Sequence, residues 1–268
     1  MSSISDTFTE LDRRGERALI AYLMAGDPDP ALTPRIARAV ARHADILELG
    51  IPFSDPIADG ATIQAAGTRA LRAGMRPAHI FGIIAAIRAE TEIPIVVMSY
   101  YNPLLRFGVD RFLEKLAEVG GDGIIVPDLP VEEAADLLSA AKKYKVDPIL
   151  MIAPTTRDER IEKICAVSSG FVYLVSLLGV TGARVAVSDE VKPLVQRVAQ
   201  RRHDIPIAVG FGISKSEHVR EIVASGAKGV IVGSAIVDLI AKHKDEPERM
   251  LVALDEFCAA LKEATRAR

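Results

Sequence analysis

Glu48 is the first residue to invite a chemical reading. It stands inside the apolar run Ile46-Leu47-Glu48-Leu49-Gly50, so its carboxyl group must face a packed interior or a layer of helices, both poor solvents for charge. Desolvation raises a carboxyl pKa toward the range where it can exchange protons near neutral pH. A structural ion pair with a Lys or Arg would occupy the same position, and the run alone leaves both readings open. The segment that follows, Gly50-Ile51-Pro52-Phe53-Ser54-Asp55-Pro56-Ile57-Ala58-Asp59-Gly60, is stiffened by prolines, bracketed by glycines and carries Asp55 and Asp59. Asp59, just before Ala61, would make a helix N-cap. Placed above Glu48 it would instead be a second carboxylate, and two carboxyls in different environments can divide acid and base roles.

Three glycine-bearing segments lie later in the chain: Gly179-Val180-Thr181-Gly182, Gly210-Phe211-Gly212-Ile213-Ser214 and Gly233-Ser234. Glycine lets backbone N–H groups approach an anion, and Ser234 would open a short helix whose amino terminus favours phosphate. Each glycine alone fits an ordinary turn; three such segments after successive strands favour phosphate binding. The stretch Ser176 to Ser188, with Thr181 between two glycines, has the make-up of a lid. Tyr22, Tyr100, Tyr101, Tyr173 and Phe211 fall near the ends of apolar runs, where they would line a pocket for a flat ring or simply pack. His43, His79, His203, His218 and His243 fall on expected helices or helix ends and read as solvated, with no metal-binding cluster. No Lys stands where a Schiff base would need it, and Cys165 and Cys258 read as buried packing. Metal-free acid–base chemistry on a phosphorylated substrate is what remains.

The elements that must position these residues alternate. Eight short apolar runs, Ala18–Met24, Asp45–Leu49, Ile93–Ser99, Gly123–Val126, Pro148–Ile152, Phe171–Ser176, Ile205–Val209 and Gly229–Val232, are separated by segments of helical period. Most are rich in Ile and Val without polar alternation, as in parallel strands covered on both faces. The pattern predicts an α/β fold, a (β/α)8 or TIM barrel, over residues 1–268 as a single domain. An extra N-terminal helix (Ile4–Arg14) would cap the barrel floor, and extra helices follow strands 2 and 8. An open doubly wound sheet is disfavoured because Ala25-Gly26-Asp27-Pro28, not G-x-G-x-x-G, follows the first strand. In a barrel the chemistry gathers at the carboxyl ends of the strands, which is where the acids and glycines named above fall.

Composition narrows the partners. The 268 residues carry 33 Lys plus Arg against 36 Asp plus Glu, a net charge of −3, and both signs are spread along the chain. That argues against nucleic-acid or membrane binding through a broad positive field and leaves small molecules or another protein. The first residues do not read as a signal peptide, and no apolar run is long enough to cross a bilayer, so a cytoplasmic location is expected.

Leu47-Glu48-Leu49-Gly50-Ile51-Pro52-Phe53-Ser54-Asp55-Pro56-Ile57-Ala58-Asp59-Gly60 resembles the signature of the tryptophan synthase alpha chain family. Tyr22 to Pro28, Met98 to Pro103, Val126 to Glu132, Tyr173 to Gly182 and Gly210 to Ser214 match it further, in order. The resemblance implies a TIM-barrel lyase that splits indole-3-glycerol phosphate into indole and glyceraldehyde 3-phosphate. It makes Glu48 and Asp59 the catalytic carboxylates. Gly182, Gly212, Gly233 and Ser234 would hold the phosphate, and Tyr22, Tyr100, Tyr173, Thr181 and Phe211 would form the indole pocket and lid. It also implies a beta-chain partner in an alpha2beta2 heterotetramer, with pyridoxal phosphate in that partner and neither cofactor nor metal in this chain. A sugar-phosphate isomerase or epimerase would share the glycine loops without needing the aromatic rim. A non-catalytic regulatory subunit would not need both acids.

Overall fold

The computed structural model describes residues 2–175, 187–201, 204–210 and 212–266. Among them nine strands form one parallel sheet: β1 (Ala18–Met24), β2 (Ile46–Gly50), β3 (Ile95–Met98), β4 (Gly123–Ile125), β5 (Asp147–Ile149), β6 (Met151–Ile152), β7 (Val172–Val175), β8 (Ile207–Gly210) and β9 (Gly229–Val232). Their spatial order is β5-β4-β3-β2-β1-β9-β8-β7-β6. The two ends of that order are separated in the chain by Leu150 alone, so the sheet closes on itself. The fifth apolar run is thus one stave that changes partner partway: β5 pairs with β4 and β6 pairs with β7. Eight staves in a ring match the expected barrel.

Side chains alternate between two cores because successive Cβ atoms on a strand point to opposite faces. Ala18, Ile20, Ile46, Val96, Ile125, Ile149, Ala208 and Ile231 fill the interior of the ring. Leu19, Leu47, Leu49, Val97, Leu174, Val209 and Val232 face the surrounding helices. Helix Ser3–Arg13 closes the floor. Its N-cap is Ser2, and Ile4, Phe8 and Leu11, spaced to share one helical face, join the interior cluster. Phe8 meets Phe171 with ring centroids 5.8 Å apart.

The helices after β2 (Ala61–Arg72 and His79–Arg88) and after β9 (Ser234–Lys242 and Pro247–Glu263) include the expected extras. A further helix, Tyr101–Phe107, follows β3 where the sequence pattern assigns none. It is short, carries Pro103 in its first turn, and has its first amide held by Asp128 from the loop after β4, with Tyr101 N–H donating to Oδ1 at 2.8 Å. That contact spans 27 positions of sequence, beyond the reach of local periodicity. No helix among the described residues is long and apolar enough to cross a membrane.

Candidate active site

The parity of the strands decides where Glu48 points. Ile46 lies in the barrel interior, so Glu48 and Gly50, two and four residues on, face inward too. Register places Tyr22 of β1 beside Glu48 and Val96 of β3 on its other side. The Glu48 side chain has no exposed surface, and neither carboxyl oxygen has a hydrogen-bond donor among the described residues. Among the described residues no Lys or Arg pairs with Glu48, so the alternative of a structural ion pair finds no partner there. Burial first, then the nearby charge of Asp59, pushes the Glu48 carboxyl up to about 8, so it holds its proton at neutral pH.

Asp59 comes from the loop above. The capping role open to it in the sequence goes to Gly60, which takes the N-cap position of helix Ala61–Arg72 with extended backbone and no side-chain cap. The Asp59 backbone is tied locally, N–H to Pro56 O at 3.2 Å and O to Gln64 Nε2 at 2.8 Å, which leaves its carboxylate free for the barrel mouth. Burial pushes that carboxyl up to about 6, against the lowering effect of a hydrogen bond from Tyr100. The other loop acid, Asp55, is exposed and pairs with Ser54 Oγ at 2.5 Å.

Two tyrosines complete the mouth. Burial holds the phenols of Tyr22 and Tyr173 well above their ordinary range, and the charges of both Glu48 and Asp59 reinforce this in each. The two acids and the two phenols therefore share one space. Both rings lie over inward-facing glycines of the next stave. A Cβ on Gly50 would fall 2.1 Å from the Tyr22 hydroxyl, and one on Gly210 would fall 2.8 Å from the Tyr173 ring. Sequence reasoning missed these roles, treating Gly50 as a loop boundary and Gly210 as part of a phosphate turn; Gly210 is the last residue of β8. A glycine ending an otherwise Ile- and Val-rich run was the signal available.

Among the phosphate-site candidates, Gly233 caps helix Ser234–Lys242 at the end of β9, and Ser234 is its first residue. The position of the Gly233 Cβ, were there one, is 3.5 Å from Tyr22, so this helix terminus borders the same mouth. Gly212, just past the adjacent β8, has φ +58 with open space beside it. First-turn amides of a helix lack intrahelical acceptors, which suits an anion there. Thr181, Gly182 and Phe211 lie outside the described residues, as does His203. His243, expected on a solvated position, is buried at the end of helix Ser234–Lys242. Cys165 and Cys258 are both buried.

Comparison with known proteins follows the same outline. Residues 8–266 match the family model described as "Tryptophan synthase alpha chain". The tryptophan synthase alpha chain of Methanosarcina acetivorans is 52% identical over 248 residues, covering 92% of this chain and 89% of that protein. The alpha subunit of tryptophan synthase from Legionella pneumophila superposes with a TM-score of 0.91 at 34% identity, covering 99% of this chain and 98% of that one. A chain of the tryptophan synthase a2b2 complex from Pyrococcus furiosus gives a TM-score of 0.84 at 40% identity over 92% of this chain and 98% of that one.

Proposed function

The chain belongs to the tryptophan synthase alpha chain family and cleaves indole-3-glycerol phosphate in tryptophan biosynthesis; we propose that Glu48 and Asp59 divide the proton chemistry of that cleavage. Breaking the bond between indole C3 and the glycerol carbon needs a proton delivered to C3 and a proton removed from the adjacent side-chain hydroxyl. Positive charge grows on the ring nitrogen meanwhile. Glu48, protonated at neutral pH, gives its proton to C3 and as carboxylate then takes the hydroxyl proton, so the carbonyl of glyceraldehyde 3-phosphate forms as the carbon–carbon bond breaks. Asp59, ionised above about pH 6, accepts the ring N–H and stabilises the charge developing there.

What carries this reading is one observation: a fully buried carboxyl, with no donor among the described residues, and a rim carboxyl both lie near enough to act on the same two tyrosines. Tyr22, Tyr100, Tyr173 and Phe211 would hold the indole ring. Gly182, Gly212, Gly233 and Ser234 would receive the phosphate, with Thr181 on the lid over it. The chain acts as a single barrel domain, in the cytoplasm, paired with a tryptophan synthase beta chain in an alpha2beta2 assembly. Pyridoxal phosphate is assigned to that partner, and the chemistry assigned here asks no cofactor of this chain.

Because the chain contains no Trp, release of indole can be followed by its fluorescence. Purified protein with indole-3-glycerol phosphate should release indole, faster with a beta chain present. Asp59→Asn should slow release by about 10²–10³ through loss of one charged transition-state contact. Wild-type turnover in that variant would remove Asp59 from the mechanism.

A further inference from the structure

The loop that carries Asp59 is poorly anchored by its own bonds. Ile51 N–H still donates to Met98 O at 2.8 Å, but past it the backbone contacts are local: Ile57 to Asp55, Asp59 to Pro56. Ser54, Asp55, Ile57 and Ala58 are exposed. One hydrogen bond reaches from the acid's immediate neighbour to another stave: Ala58 N–H donates to the Tyr100 hydroxyl at 2.9 Å, across 42 positions of sequence. Tyr100 is itself held firmly. It is buried at the end of β3, its ring packs on Phe53 of the same loop at 5.3 Å, its carbonyl accepts Ser99 Oγ at 3.1 Å, and the next residue's amide is bound by Asp128.

We infer that Tyr100 is a positioning residue for Asp59, pinning the loop through the Ala58 amide and presenting its own O–H to the Asp59 carboxylate. A phenol has one proton and two lone pairs, so it accepts from Ala58 while donating to Asp59. The donation favours the ionised acid, and it opposes the burial that otherwise pushes this carboxyl up. Tyr100 itself is no proton source at the reaction, since burial and the Asp59 charge hold its phenol far above neutrality. The other groups facing Asp59 among the described residues are Glu48 on β2, Tyr22 on β1 and Tyr173 on β7, with Asp128 beyond Tyr100. They bring no positive charge, so among the described residues the Tyr100 hydroxyl is the group that favours the ionised Asp59. The inference rests on Asp59 being the acid that takes the ring N–H.

The test compares Tyr100→Phe, which keeps the ring on Phe53 and removes one oxygen, with Asp59→Asn and wild type in pH profiles of indole release. A second variant carries 3-fluorotyrosine at position 100, a stronger donor of the same shape. The expected result is an acid limb moved upward by about one unit in Tyr100→Phe and downward with fluorotyrosine. In Tyr100→Phe, kcat should fall only about twofold at pH 7 but about tenfold at pH 5, and KM should change less than about twofold, because the ring that meets the indole is kept and the phosphate end is untouched. A Tyr100→Phe profile that overlies wild type while Asp59→Asn is slowed as expected overturns the inference and leaves the reading of Asp59 intact. A uniform loss at every pH with the limb in place also overturns it, since loop support alone would do that. Wild-type turnover in Asp59→Asn overturns the reading beneath it.

Discussion

Replacing Glu48 by Gln should destroy the activity and make the protein progressively more stable than wild type as pH rises. The folded structure holds this carboxyl at about 8 against an ordinary value of 4.5, a rise of about 3.5 units. Between those two values the folded chain keeps a proton that the unfolded chain has lost. Wild-type stability therefore declines as pH climbs through that interval, by about 1.4 kcal/mol per unit and about 5 kcal/mol in all as an upper bound. The Gln variant has no such titration. Its buried amide, lacking partners, costs about 1–3 kcal/mol, but by the same amount at every pH. The gap between variant and wild type should thus widen in the variant's favour from pH 5 to pH 8, and the slope is the diagnostic quantity. Urea unfolding of both proteins at four pH values measures it, with indole release recorded on the same samples. Parallel stability curves would mean that Glu48 ionises normally in the folded chain, and the proton chemistry assigned to it would have to be withdrawn.

Three further outcomes follow from the same geometry. Activity should be bell-shaped in pH with its maximum near 7, because the competent state has Asp59 ionised above about 6 and Glu48 protonated below about 8; turnover should fall roughly tenfold by pH 5 and again by pH 9, and a profile still rising at pH 9 would exclude Glu48 as the proton donor. Gly50→Ala should cost about 1–3 kcal/mol through overlap with the Tyr22 hydroxyl, and an unchanged urea midpoint would mean that the ring does not lie over β2. Arg69 Nε and Nη2 hold the buried Asp27 at 2.7 and 2.8 Å, so Arg69→Ala should destabilise by about 3–5 kcal/mol at pH 7. Asp27→Asn in the same chain should recover part of that loss, and no recovery would show that the Arg69 side chain stabilises by packing rather than by charge.

Much of the barrel could be read from local pattern. Strands buried on both faces must be apolar throughout, and seven of the eight expected runs correspond to single strands with ends shifted by a few residues. The fifth became two because its neighbour changes from β4 to β7 at Leu150, an event set by ring closure and invisible in a run of apolar residues. Helix Tyr101–Phe107 escaped notice because its first amide depends on Asp128, a partner supplied by another loop. His243 looked solvated on a helix end and is buried by what packs over it.

The acids divide along the same line. That Glu48 would be desolvated followed from its neighbours in the chain, since no arrangement of Ile46, Leu47 and Leu49 offers it water. That it faces the ring interior beside Tyr22, and not the helices, depends on a parity that only pairing with β1 and β3 establishes. Asp59 had two readings, helix cap or site acid, and the choice fell to Gly60 taking the cap and to Tyr100 meeting the loop from 42 positions away. Hydrophobicity and backbone preference act between near neighbours, so they are written into the chain. The acidity and aim of a carboxyl depend on groups brought close by folding, and these come into contact only when the staves close.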